Sequence, residues 1–536
     1  MMRPLLDLIL GGKIRKQTRR YLADVAAAPA RTSRKEANQL LKTFRASGDS
    51  HLTIGTTTWG EAVTVPLKEL MCAHSIVTGG TGAGKTRFAL NIIRGLLQKL
   101  PQDPGGLGVI DPKGDLFSGA LLLVWQRLQE LSKRDPEAAH DFQRRVVILD
   151  FSTTDPPLAY NILAKRPRID AGYFASTRAD LLLDLLPSGE GLSLGASALL
   201  TKVLLLLSEF NLPITWLSEI LYNGDLRDRV LHRSQQPELK IYFTHQFAQV
   251  PRQTISALSR RVEALFSSES VRLALSGQTA PDMRALQDDG RIVLVNCFGE
   301  HISRSVRQLL QALVCTDIAQ SIFARKRRDL PFLWVCDEAQ HFFGTPRLRD
   351  HIEDVLTMSR SFGTFLCSLT QNLGSAVHDA GLLHSLQTNT RWSFSMRDEP
   401  SDCAFLKPAM PITGRKLQPQ SDPFKEPTYY SMNDERTAEL NAVANLPDRT
   451  GWFWYRPHSS EAIKITTADL TLPSGEAVGQ SMKSLMSDPN FGMRISRQEY
   501  DRHVDARKKD WEETPASAEL DQVLAQAYQR VRGSKP

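Results

Sequence analysis

The run Gly79-Gly-Thr-Gly-Ala-Gly84-Lys85-Thr86 follows the apolar residues Ile76 and Val77 and precedes a helical pattern from Phe88 to Leu97. A glycine-rich bend between a buried strand and a helix narrows the choice of fold more than any other stretch of this chain. It belongs to an α/β layer in which parallel strands hand the chain over to covering helices. The spacing G-x-x-x-x-G-K-T also suits phosphate binding, because glycines let backbone N–H groups wrap an anion at a helix N-terminus. Gly79, Gly80, Thr81, Gly82, Ala83, Gly84, Lys85 and Thr86 are therefore the expected nucleotide-binding residues. Lys85 is expected to reach the β- and γ-phosphates of ATP and Thr86 to ligate Mg²⁺. The bland alternative is a turn that merely starts a helix.

The rest of the chain agrees with that frame. Short apolar runs at Ser75–Thr78, Leu107–Asp111, Val146–Asp150, Ile292–Asn296, Phe332–Cys336, Thr364–Thr370 and Arg391–Met396 predict strands buried on both faces of a mainly parallel, doubly wound sheet. Thr86–Leu100, Leu116–Lys133, Ser303–Arg325 and Arg347–Ser361 predict covering helices. Between about residues 165 and 285 the strand signal gives way to helical patterns broken by Pro213, Pro237 and Pro251, which predicts an inserted all-α domain. The expected division is a basic segment 1–50, a motor domain 51–164 and 286–470, the insertion 165–285, and a polar C-terminal tail 471–536. In the tail, Leu520, Val523, Leu524, Ala527, Tyr528 and Val531 have amphipathic helical spacing. His51–Leu67 and Gly451–Thr466 read as hairpins; the aromatics of the second suit core packing better than base stacking.

A phosphate cradle alone binds; hydrolysis needs carboxylates. Phe332-Leu-Trp-Val-Cys-Asp337-Glu338 supplies an apolar strand ending in two acids. Asp337 is expected to hold Mg²⁺ through water and Glu338 to orient and deprotonate the attacking water, with helix capping as the alternative. Gln371 ends the strand Thr364–Thr370, where an amide can bond the γ-phosphate or the lytic water. Arg360 is the candidate arginine finger for a neighbouring subunit, with Arg391 and Arg397 as rivals. Asp111-Pro-Lys-Gly-Asp115 reads equally as a tight turn and as part of a site at the sheet edge. Neither a Ser/His/Asp or Cys/His triad nor metal-ligand spacing of histidines is evident.

Composition is that of an ordinary folded protein, 41% apolar and 23% charged. Residues 1–50 hold eleven Lys and Arg against four acids, which by itself gives the whole chain's +7. The stretch Lys13–Arg20 suits phosphates or an anionic membrane surface, or is a solvated helix face. Six scattered cysteines without a Cys-x-x-Cys pair fit a reducing compartment and no structural zinc. The apolar stretch Leu5–Leu10 is too short to span a bilayer, so the expected location is cytoplasmic or peripheral at the inner membrane face.

In order and context, the GGTGAGKT loop, the Asp111–Asp115 turn, Asp150 with Tyr160-Asn161 following, Asp337-Glu338, Arg360 and Gln371 resemble the HerA/FtsK superfamily. Within it they look most like TraG/TraD-type coupling proteins of type IV secretion and conjugation, over roughly residues 51–466. The resemblance implies a RecA/FtsK-like P-loop NTPase, a hexameric ring with ATP at subunit interfaces, and DNA passing through a central channel. Carried over residue by residue, Lys85, Glu338, Gln371 and Arg360 would be catalytic, and Thr86 and Asp337 would hold Mg²⁺. Coupling proteins usually begin with membrane-spanning helices, whereas this sequence begins with a basic segment. The stretch before residue 75 is also too short for the β-barrel of HerA-type motors. The implied function is DNA translocation, with a relaxase or secretion channel as partner. One alternative is a translocase for repair or anti-phage defence beside a separate nuclease; another is an ATP-switched oligomeric scaffold.

Overall fold

Ser75–Thr78 (β3) is buried at every position, as a strand with neighbours on both edges and helices over its faces must be. In the computed structural model it pairs in parallel with β8 (Thr364–Thr370) and β9 (Trp392–Met396). The structure describes residues 34–35, 37–100, 105–166, 169–185, 194–343, 349–371, 373, 380–412, 418, 429–457, 459–474, 476–488, 491 and 496–512. The basic stretch Lys13–Arg20 and the helical pattern Leu520–Val531 lie outside them. The chain divides into two units, Met1–Lys99 with Phe365–Thr471, and Leu100–Thr364 with Leu472–Pro536.

In the first unit, antiparallel strands continue from β9 through β10 (Thr450–Tyr455), β11 (Ile463–Thr467), β1 (His51–Thr57) and β2 (Ala62–Pro66). The order is β2-β1-β11-β10-β9-β3-β8. Both expected hairpins are present here, β1 with β2 and β10 with β11. Helix α1 (Lys85–Lys99) covers the sheet by setting Phe88 4.5 Å from Phe394 and 6.3 Å from Trp392, ring centre to ring centre. A Cβ at Gly95 would lie 2.4 Å from Leu52 Cδ1, so glycine lets the helix approach β1. Phe453 and Tyr455 are fully buried, which assigns these hairpin aromatics to the core.

In the second unit, β4 (Gly106–Asp111), β5 (Val146–Asp150), β6 (Ile292–Asn296) and β7 (Phe332–Cys336) are parallel and wholly buried, in the order β7-β4-β6-β5. From 171 to 288 the described residues contain helices and no strand, beginning with α3 (Ala171–Leu185) and α4 (Leu194–Glu209), which pack together; α2 (Asp115–Arg134) follows β4. α5 (Arg304–Ile322), after β6, carries buried Asp317. Asp317 accepts from Arg178 of α3, from Arg166 at 3.0 Å and from the Tyr160 hydroxyl at 2.7 Å.

The segment expected as a polar tail carries α6 (Glu476–Ser487) and α7 (Arg497–Glu512). α7 seats Trp511 5.2 Å from Phe210 and beneath the Arg233 guanidinium, 4.3 Å from the ring centre. Tyr500 donates to Leu273 O at 2.9 Å, so this helix is bound to the helical segment of its own unit. Among the described residues no helix is long and apolar enough to cross a membrane.

Candidate functional site

In the first unit, the loop from β3 to α1 closes on itself around two left-handed glycines, Gly82 at φ 79° and Gly84 at φ 112°. L side chains rarely adopt such values, and a Cβ on Gly84 would also lie 3.3 Å from the Arg449 backbone. The loop is pinned from outside: Gly80 N donates to Arg397 O at 2.7 Å, and Arg449 N donates to Ala83 O at 2.8 Å. Lys85 is buried, and its ammonium donates to Gly79 O and, at 3.1 Å, to Gly80 O. Its charge is thus held in the mouth of the bend, where phosphate oxygens can replace those carbonyls as acceptors.

Thr86 stands half-buried on the first turn of α1, with a hydroxyl suited to a hard cation. Gln371, at the end of β8, accepts a hydrogen bond from the Thr81 hydroxyl at 3.0 Å, so the strand pairing brings this amide to the loop.

The second unit holds the carboxylates. β4 and β7 are neighbours in register, Ile110 opposite Cys336, and their carboxyl ends carry Asp111 and Asp337. Asp111 folds the turn after β4 by accepting from Lys113 N at 2.7 Å and Phe117 N at 2.9 Å; burial nevertheless raises its carboxyl above the usual range. Asp337 is pushed up to about 7, first by burial and then by the charges of Asp111 and Glu338. The neighbouring carboxylates thus resist joint ionisation and are opposed by Lys113, although among the described residues no three acids, histidines or cysteines are arranged to hold a metal ion by themselves.

Glu338 has a left-handed backbone, φ 50°, at a cost of about 1–2 kcal/mol for a residue with a side chain. Strain of that kind gathers where function fixes a side chain's direction. The carboxylate accepts from the Lys113 ammonium and from Gln340 Nε2, and His341 Nε2 lies 3.8 Å away. Burial lowers the His341 pKa, keeping the ring neutral near pH 7.

Arg360 is exposed in a short helical turn, Ser359–Phe362. Phe332 N donates to Gly363 O at 2.9 Å, which sets that turn at the amino end of β7, whereas Asp337 follows its carboxyl end. A five-residue strand separates them, about 17 Å, so Arg360 is out of reach of its own acidic pair. The rivals are tied down in the other unit: Arg391 pairs with Glu69 at 2.9 Å and Arg397 with Asp448 at 2.6 Å.

The structure is similar to the bacterial conjugative coupling protein TrwBΔN70 in its unbound monoclinic form. The TM-score is 0.51 at 15% sequence identity, covering 82% of this chain and 93% of that one. It is also similar to the plasmid coupling protein TrwB in complex with ADP and Mg²⁺, with TM-score 0.50, 15% identity, and 82% and 94% covered. VirB4 of Thermoanaerobacter pseudethanolicus matches with TM-score 0.50, 15% identity, and 79% and 97% covered. The chain has the P-loop NTPase fold. No family model and no curated protein matches the sequence. At such low identity the likeness carries the fold alone.

Three polar residues beside the expected set escaped sequence reading. Lys113 lay within a turn already singled out, but its contact with Glu338 depends on β4 adjoining β7. Gln340 sits two residues after Glu338, in a segment to which the sequence assigned no role. Asp398, just beyond β9, is buried near Gly80, and burial lifts its carboxyl to about 7; the acidic run Asp398-Glu399 was its only signal.

Proposed function

We propose that the chain is a Mg²⁺-dependent ATPase that drives DNA through a ring of six identical subunits, in the manner of conjugative coupling proteins. In this reading Gly79 to Thr86 cradles the phosphates, Lys85 neutralises their charge, and Thr86 and Asp337 hold the ion. The ion screens the phosphate oxygens. Glu338 orients the lytic water and accepts its proton, and Gln371 bonds the γ-phosphate or that water. Arg360 serves a neighbouring subunit's phosphate, a role its distance from its own acidic pair favours over action within one subunit.

The observation that carries the proposal is Glu338 beside buried Asp337: a strained carboxylate next to cation-binding chemistry has work to do in hydrolysis. That pair disfavours the scaffold reading, since a switch that only binds ATP does not need a water-orienting base. The likeness to TrwB with ADP and Mg²⁺ supports the cofactors, and the coupling-protein neighbours support DNA as the load. A relaxase, a secretion channel or a separate nuclease remains the partner class, with service at the inner membrane face as the proposed setting.

The test is ATP turnover by the full chain with and without single- and double-stranded DNA. The motor reading expects turnover that rises on adding DNA. Tight ATP binding with negligible turnover in every condition would instead establish the scaffold.

A further inference from the structure

We infer that Lys113 and Gln340 are positioning residues for Glu338, holding its carboxylate at both oxygens so that it faces the reacting water. The inference rests on the proposed role of Glu338 and assigns work to two residues outside the phosphate cradle and the acidic pair.

The turn after β4 is built to present Lys113. The Asp111 carboxylate ties down Lys113 N and Phe117 N, and Gly114 at φ 91° then swings the chain into α2. A Cβ on Gly114 would lie 3.0 Å from Phe298 Cδ1, so the swing is packed as well as bent. From that fixed turn the Lys113 ammonium reaches Glu338 Oε1, with its side chain 45% exposed while that of Glu338 is 6% exposed. A cation half in solvent gives up little hydration to make this contact, whereas the buried carboxylate needs it.

Gln340 completes the grip. Its Nε2 donates to Glu338 Oε2, while its own Oε1 is buried and meets no hydrogen-bond partner among the described residues. The accepting Glu338 oxygen takes its hydrogen from the amide NH₂, which sets the orientation of the Gln340 amide.

Behind both, Gln311 Nε2 donates to Asp337 O at 2.7 Å and fixes the backbone from which Glu338 departs. Gln308 holds the neighbouring His341 ring at 3.2 Å. With two donors fixed on two oxygens, the carboxylate plane is set rather than free to rotate, which is what orienting a water requires.

The test is steady-state ATP hydrolysis by the full chain with DNA, together with affinity for a non-hydrolysable ATP analogue and the thermal midpoint. Lys113→Met, Lys113→Arg, Gln340→Leu and Glu338→Gln are compared with wild type. The inference expects kcat to fall at least about tenfold in Lys113→Met and Gln340→Leu while KM and analogue affinity stay within about twofold. Lys113→Arg should recover most of the rate. Wild-type kcat in a folded Lys113→Met or Gln340→Leu protein, with Glu338→Gln inactive, overturns it. So does a parallel loss of analogue affinity, which would make Lys113 a nucleotide ligand. Should Lys113→Met not fold, Gln340→Leu decides alone. Full activity in Glu338→Gln is the separate outcome that removes the underlying reading.

Discussion

Asp398 shows how one side chain beside the phosphate loop couples to pH. Burial raises its carboxyl to about 7, with Asp402 and Glu399 adding to the effect and Lys85 and the Glu399 N–H opposing it. An unfolded chain ionises its aspartates near ~4, so between these values the folded protein keeps a proton that the unfolded one has lost. The sign follows: stability is highest below the unfolded value, falls as pH rises toward about 7, and is level above it. Asp398→Asn is neutral throughout and should flatten this dependence. Thermal midpoints at acid and alkaline pH would then differ less in the variant than in the wild type, by a few degrees. An unchanged difference would refute the assignment.

Elements hold the site through contacts with little tolerance. β4 lies against β7 with Gly108 facing Trp334, where a Cβ would come 2.0 Å from the indole. Gly108→Ala should therefore destabilise the protein by about 1–3 kcal/mol, read from the denaturant midpoint, because the fully buried ring must shift within a packed core. Asp317 is the acid at which α3 and α5 meet, under Arg178, Arg166 and Tyr160. Removing it in Asp317→Ala strands a buried guanidinium and should cost about 3–5 kcal/mol. A loss near zero would mean that water satisfies Arg178.

Most strands were legible because a sheet covered on both faces writes its strands as unbroken apolar runs, as in Ile292–Asn296 and Phe332–Cys336. The loop and the acidic pair were legible for a related reason, since phosphate wrapping and ion binding demand particular residues at fixed places. Lys113 on Glu338 was not, because strand order is a property of the whole sheet and is invisible locally. α7, within 471–536, was not legible: its many charges resemble a solvated helix, and its buried residues are only Tyr500 and Trp511 among those described.

At the scale of the whole molecule, the proposed function couples a nucleotide cycle to movement of DNA by subunits in a ring. Arg360 is the residue through which one subunit would act on the next. Mixing Arg360→Ala subunits with wild type should depress ATP turnover below the average expected from the two populations; strictly proportional rates would remove Arg360 from the interface. The claim beneath all of this is that the Glu338 carboxylate drives phosphate cleavage. It is tested most directly by single-turnover hydrolysis of saturating Mg-ATP by Glu338→Gln in the presence of DNA. Nucleotide should bind at wild-type affinity and stay uncleaved; cleavage at the wild-type rate would contradict the proposed role of Glu338.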